Sequence, residues 1–186
     1  EVCLPMTQGA REAQNIEDYY RQFVGGKEDK QLNGHGTTVG EWIGEFRPDT
    51  ISVIPLIEEK ESILQADQIM EEFLAGKKIE HQRMWLAFSD PAENYGMLST
   101  ALLNKIALQK LQALEGKLSI EIHPILGLGG APFRGNLLPG KEESVMKEYP
   151  SAQTFTVQSA FKYDSSEKDT RQAIENLNKG RRKQAK

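Results

Sequence analysis

Only one cysteine, Cys3, occurs in the chain, so no internal disulfide framework can form and the expected setting is reducing, the cytoplasm. No run approaches the ~18 apolar residues of a membrane span. The opening EVCLPMTQG lacks the basic segment followed by an apolar one that marks a signal peptide. Positive charge is in short supply too: 23 Lys and Arg against 27 Asp and Glu leave a net charge of -4, which argues against a nucleic-acid surface. The basic KGRRKQAK at the C-terminus reads as a solvated helix end or tail. No His and Cys cluster has zinc spacing, no G-x-S-x-G elbow marks a serine hydrolase, and no GK[ST] follows a glycine loop. A starting Met is also missing, and the strand-like opening suggests a piece of a longer protein.

With 38% hydrophobic and 27% charged residues over 186 positions, the chain is expected to be one soluble globular domain with a full core. Short apolar runs alternate with helical stretches. VCLPM precedes a helix from about Ala10 to Val24, and ISVIPL precedes ESILQADQIMEEFLAG, with Ile63, Ile69, Met70 and Phe73 at helical spacing. MWLAFS leads to a helix from Tyr95 to Leu114 that stops at Gly116, LSIEIHPIL leads to a glycine loop, and TFTVQSAF precedes a helix from about Ser166 to Leu177. Such alternation indicates βαβ units and a parallel sheet. A doubly wound sheet gathers its ligands at one switch point, whereas a barrel spreads its chemistry over many strand ends. Here the notable polar residues follow three successive strands, which favours a (β/α)8 TIM-type barrel of which residues 1–186 supply about five βα units. The connector from Gly25 to Gly40, with His35 and two threonines, is either a lid or a structural or disordered segment.

Four candidate groups carry chemistry. Glu58 and Asp90 each lie just past a strand, and two hard carboxylates on neighbouring strand ends suit Mg²⁺ or Mn²⁺. The plainer alternative makes these acids helix caps, with Ser89 or Asp90 capping and Pro91 at the first helical position. The loop GLGGAPFRG, with Gly129, Gly130 and Gly135, can bring backbone N–H groups to an anion, and Arg134 adds a guanidinium fork; a tight structural turn is the alternative. His123, inside a strand ahead of Pro124, either packs in the core or shuttles protons. Gln158, in FTVQSAF, reads as a buried-strand polar residue that meets substrate or a neighbouring side chain. His35 and His81 read as loop and surface residues.

Taken in order, VIPLIEE, WLAFSDPAENYG, HPILGLGGAPFRGNLLP and TFTVQSAFKYD resemble phosphoenolpyruvate carboxylase of the archaeal type. The resemblance runs from near Leu4 to about Leu177, and SDPAxNYG and the PFRG loop are its most specific parts. It implies a barrel enzyme that joins phosphoenolpyruvate to bicarbonate, giving oxaloacetate and phosphate through carboxyphosphate and pyruvate enolate, with Mg²⁺ or Mn²⁺. It further implies that Glu58 and Asp90 hold the metal, that Arg134 holds carboxyphosphate, and that the parent is a homo-oligomer. Compared with the better-known bacterial and plant loop, a histidine has become Leu126, an arginine has become Leu128, and the lysine three residues after the metal aspartate has become Glu93. His123 is the one candidate to replace the lost histidine. The family enzyme is far longer, with an N-terminal histidine motif missing here, so the fragment alone is expected to be inactive. The alternatives are another metal-dependent phosphoenolpyruvate or pyruvate barrel lyase, and a non-catalytic assembly fragment.

Overall fold

The computed structural model describes residues 1–32, 34 and 36–185. Five parallel strands form one sheet in the order of the chain: β1 (Val2–Leu4), β2 (Val53–Ile57), β3 (His81–Ala87), β4 (Glu121–Gly127) and β5 (Thr154–Phe155). A doubly wound sheet reverses its strand order at a switch point. The order here runs straight through, so that architecture is set aside among the described residues.

Side chains alternate across the strands. Val53 and Ile57 of β2, Met84 and Leu86 of β3, and Ile122 and Leu126 of β4 enter one continuous core. That core also takes Ala10 and Ala13 from α1 (Ala10–Phe23) and Met70 and Phe73 from α4 (Ala66–Leu74). Leu103, Ala107, Leu108 and Leu111 of α6 (Met97–Leu118) complete its middle, and Val145 of α7 (Glu142–Glu148) and Ala173 of α9 (Glu167–Lys179) extend it. One core means that the helices cover one sheet face. The alternate residues, Glu58 after β2, Arg83, Trp85 and Ala87 on β3, and His123, Ile125 and Gly127 on β4, line the other. No described helix is long and apolar enough to cross a membrane.

Several local expectations are corrected. The stretch after β2 is two helices, α3 (Lys60–Leu64) and α4, joined at Gln65. The long helix is likewise two, because Gly96 at φ 85° separates α5 (Ser89–Tyr95) from α6. Gly116 does not stop α6, which continues to Leu118 and ends at Ser119 in the left-handed region, φ 55°. A glycine inside a helix costs about 1 kcal/mol, which the buried α6 face outweighs. β5 keeps only two of the residues expected in its strand, and Ser159–Lys162 coil into α8. In the connector, Thr38 and Glu41 form a reciprocal capping box at the start of α2 (Val39–Ile43). His35 lies outside the described residues.

Candidate active site

Register decides which residues meet. Ile57 pairs with Leu86, and Ala87 pairs with Gly127. Glu58, one residue past β2, therefore comes level with Ala87 and Gly127 at the C-terminal edge of the sheet, where α5 begins with Ser89 and Asp90. Burial first, and then the charge of Asp90, push the Glu58 carboxyl above the ordinary glutamate value, against an opposing hydrogen bond from the Met6 backbone N–H. The two carboxylates thus share one electrostatic neighbourhood. Cys3 belongs to it as well, since burial and then the Glu58 charge raise its thiol.

Capping does not explain Asp90. The residue preceding α5 is Phe88, and no side chain caps the helix. Pro91 has no N–H to offer, and the Ala92 N–H already donates to the Phe88 carbonyl at 2.9 Å. Asp90 is left exposed, and the buried Ser89 hydroxyl beside it has no partner. Among the described residues neither Glu58 nor Asp90 enters an ion pair, and no three His, Cys, Asp or Glu side chains converge to hold a metal. Two like-charged oxygen donors that repel each other fit a hard divalent cation, which takes one or two carboxylates and fills its shell with water and substrate.

The glycine loop reaches this edge by folding on itself. Gly129 donates to the Arg134 carbonyl at 2.7 Å and accepts from the Leu137 N–H at 2.9 Å, and Gly135 donates to Pro132 at 3.2 Å. The amides of Gly129 and Gly135 are thus engaged within the loop, and these residues serve by shape. A Cβ on Gly129 would lie 3.0 Å from both Arg134 Cβ and Gln158 Oε1, so its bareness lets those two side chains converge. Gly135, at φ 103°, turns the chain back from the short 3₁₀ turn Pro132–Arg134 over Leu128. A Cβ on Gly130 would stand 2.4 Å from Ala160 Cβ, which brings the loop tight against α8.

Arg134 is aimed by this framework. Its Nη2 donates to Glu93 Oε1 on α5 at 2.6 Å, and its guanidinium lies 5.4 Å from the Phe133 ring centre. Its Nε is buried with no partner. Gln158 sits at the N-terminal boundary of α8, outside the strand where the pattern had put it, and donates weakly to Thr156 Oγ1 at 3.4 Å.

His123 stands apart from these residues. It pairs in register with Arg83 and lies four residues before Gly127, roughly 13 Å along an extended strand. Its Nε2 is 2.9 Å from Glu121 Oε2, and its ring stacks on exposed His81 at 5.0 Å. Leu126 and Leu128 are fully buried in the helix-side core, so neither position faces the sheet edge where the acids lie. A cavity of about 960 Å³ between α7, β5, α9 and the tail contains none of Glu58, Asp90 or Arg134.

Two features escaped the sequence reading. Trp85 puts its indole nitrogen 2.6 Å from where a Gly127 Cβ would be, so Gly127 makes room for an N–H donor on the site's face of the sheet. The period-two alternation Arg83, Trp85, Ala87 carried that signal. The hydrogen bond from Tyr95 Oη to Glu59, 2.9 Å, ties the end of α5 to the residue after Glu58, and no local pattern announces it.

Comparison with known proteins bears on this geometry. A family model described as phosphoenolpyruvate carboxylase matches residues 1–186. The chain is 53% identical over 177 residues to a phosphoenolpyruvate carboxylase of Methanothermobacter thermautotrophicus, covering 95% of this chain and 36% of that protein. It is 48% identical to one of Methanospirillum hungatei, covering 95% and 37%. It is 44% identical over 184 residues to one of Pyrococcus abyssi, covering 99% and 39%. The chain therefore spans little more than a third of these relatives.

Proposed function

This chain belongs to the phosphoenolpyruvate carboxylase family, and from that premise we propose that it forms the part of a (β/α)8 barrel that carboxylates phosphoenolpyruvate with bicarbonate. The observation that supports the reading is that the charge of Asp90 acts on Glu58 at one sheet edge, while Arg134 of the glycine loop pairs with Glu93, three residues after Asp90 on α5. In the proposed reaction a bicarbonate oxygen attacks phosphorus, and the bond from phosphorus to the enol oxygen breaks. This gives carboxyphosphate and pyruvate enolate. The enolate carbon then takes the carboxyl carbon, and inorganic phosphate leaves.

The residues have definable tasks. Arg134 offers a planar fork that matches phosphoryl oxygens and follows them from ester to carboxyphosphate to free phosphate. Gly129 keeps Gln158 beside that fork, giving a second polar group for an oxygen of substrate. Glu58 and Asp90 would hold Mg²⁺ or Mn²⁺, which supplies positive charge to developing oxyanions when bound. Convergent charge of this kind is the largest lever on phosphoryl transfer, because it acts where negative charge moves. We give His123 no part in the reacting group, since it lies four residues before Gly127 on β4.

The test is oxaloacetate formation from phosphoenolpyruvate by the intact parent protein with Mg²⁺, with and without bicarbonate, and with Arg134→Ala in parallel. The proposal expects product that requires bicarbonate and is lost in the variant. Product made without bicarbonate would point to a lyase instead. No product from the intact folded protein would overturn both.

A further inference from the structure

We propose that Glu93 is a positioning residue, the resident counter-ion of Arg134, which the phosphoryl anion displaces when it binds. The inference deepens the proposed function and rests on it for the identity of the anion. A guanidinium receives an oxyanion best along one edge, through two parallel N–H bonds. The edge formed by Nε and Nη2 of Arg134 is half used: Nη2 donates to Glu93 at 2.6 Å, while Nε is buried and has no partner. Glu93 therefore satisfies one donor of a two-donor edge. A phosphoryl group on that edge would satisfy both, but only by moving Glu93 aside.

The surroundings fit an exchange of partners and not a movement of the arginine. The Cβ and Cδ of Arg134 lie 3.0 and 3.2 Å from the Cβ position of Gly129, which packs the stem. The loop's own hydrogen bonds fix its backbone. The two side chains are part-exposed, 43% for Arg134 and 49% for Glu93, although Arg134 Nε itself is covered, so the carboxylate can swing into water at small cost. Glu93 sits three residues after Asp90 on α5, so the residue that leaves Arg134 and the acid proposed for the metal share one short helix. The exchange keeps Arg134 from standing uncompensated when the site is empty, and it sets how tightly product phosphate is held.

The measurement is anion affinity of the intact protein. Inorganic phosphate is titrated calorimetrically into wild type, Glu93→Gln and Glu93→Asp, and KM and kcat for phosphoenolpyruvate are taken for the same three. An exposed ion pair of this kind competes by a factor of about 1.4 to five. Glu93→Gln should therefore bind phosphate more tightly by about 1.4- to five-fold and lower KM for phosphoenolpyruvate by the same factor, with no rise in kcat. Glu93→Asp should return both toward wild type. A structural role alone would raise KM, and a raised or unmoved KM and phosphate affinity in a folded Glu93→Gln protein overturns the exchange. So does a failure of all three proteins to bind phosphate. If wild type binds phosphate yet forms no oxaloacetate, the carboxylase reading fails separately, and the phosphate series still decides the role of Glu93.

Discussion

Replacing Gly130 by alanine would put a methyl carbon 2.4 Å from Cβ of Ala160. Carbon atoms in contact prefer about 3.5–4.0 Å, so the loop and α8 would have to part by more than about 1 Å. Overpacking of this kind typically costs about 1–3 kcal/mol. The displacement also reaches the site, because Gln158 precedes Ala160 by two residues and Gly130 adjoins Gly129, against which Arg134 and Gln158 pack. A shift of about 1 Å in positioned groups can lower a rate on the order of 100-fold. The cure is specific. Ala160→Gly removes the opposing methyl at a helix cost of about 0.5–1 kcal/mol, so Gly130→Ala with Ala160→Gly should melt higher than Gly130→Ala alone and regain most of the lost turnover. The assay is a four-protein cycle on the intact enzyme, with melting temperature and kcat read for each member. The two changes should interact favourably, well beyond the roughly 0.5 kcal/mol scatter of independent sites. If instead their effects simply add, the close approach of loop and α8 is not why Gly130 is a glycine, and the reasoning fails.

Two further outcomes follow from the carboxylates. Asp90→Asn in the intact enzyme should cut metal-dependent turnover by at least about tenfold, or 1.4 kcal/mol of barrier, with weaker Mn²⁺ binding; a smaller loss would remove Asp90 as a ligand. Glu58 is raised above its ordinary value by burial and by Asp90, so between the ordinary and the raised value the fold keeps a proton that the unfolded chain releases. The metal-free protein should therefore lose stability as pH rises through that window, and Mn²⁺ affinity should climb over the same range as the proton departs. Glu58→Gln should abolish the stability slope in a pH series of melting temperatures, and persistence of the slope in that variant would assign it elsewhere.

Much of this arrangement was legible in the chain because it rests on local pattern. Apolar runs between helical stretches announced five parallel strands, since a short apolar run bounded by turn residues reads as a strand and a helix is apolar on one stripe. The acids at 58 and 90 stood out because they directly follow such runs, and the motifs around them carried the family resemblance. What lay beyond the sequence depends on distance across the fold. Two glycines twenty residues apart look alike in the chain, yet Gly96 breaks a helix at φ 85° and Gly116 lies inside one, because the packing of the neighbouring faces decides which is tolerated. Likewise, His123 and Gly127 share a strand and a face, but register sets one beside Arg83 and the other beside Ala87 at the level of the acids. Gln158 left its expected strand because β5 pairs for only two residues before α8 begins. The sequence by itself determined the alternation of elements, the chemical types at the strand ends and the family. Only the tertiary structure decided which strand end meets which loop, that Arg134 faces Glu93, and that the loop's glycines act by admitting neighbours, because each of these depends on atoms far apart in the chain.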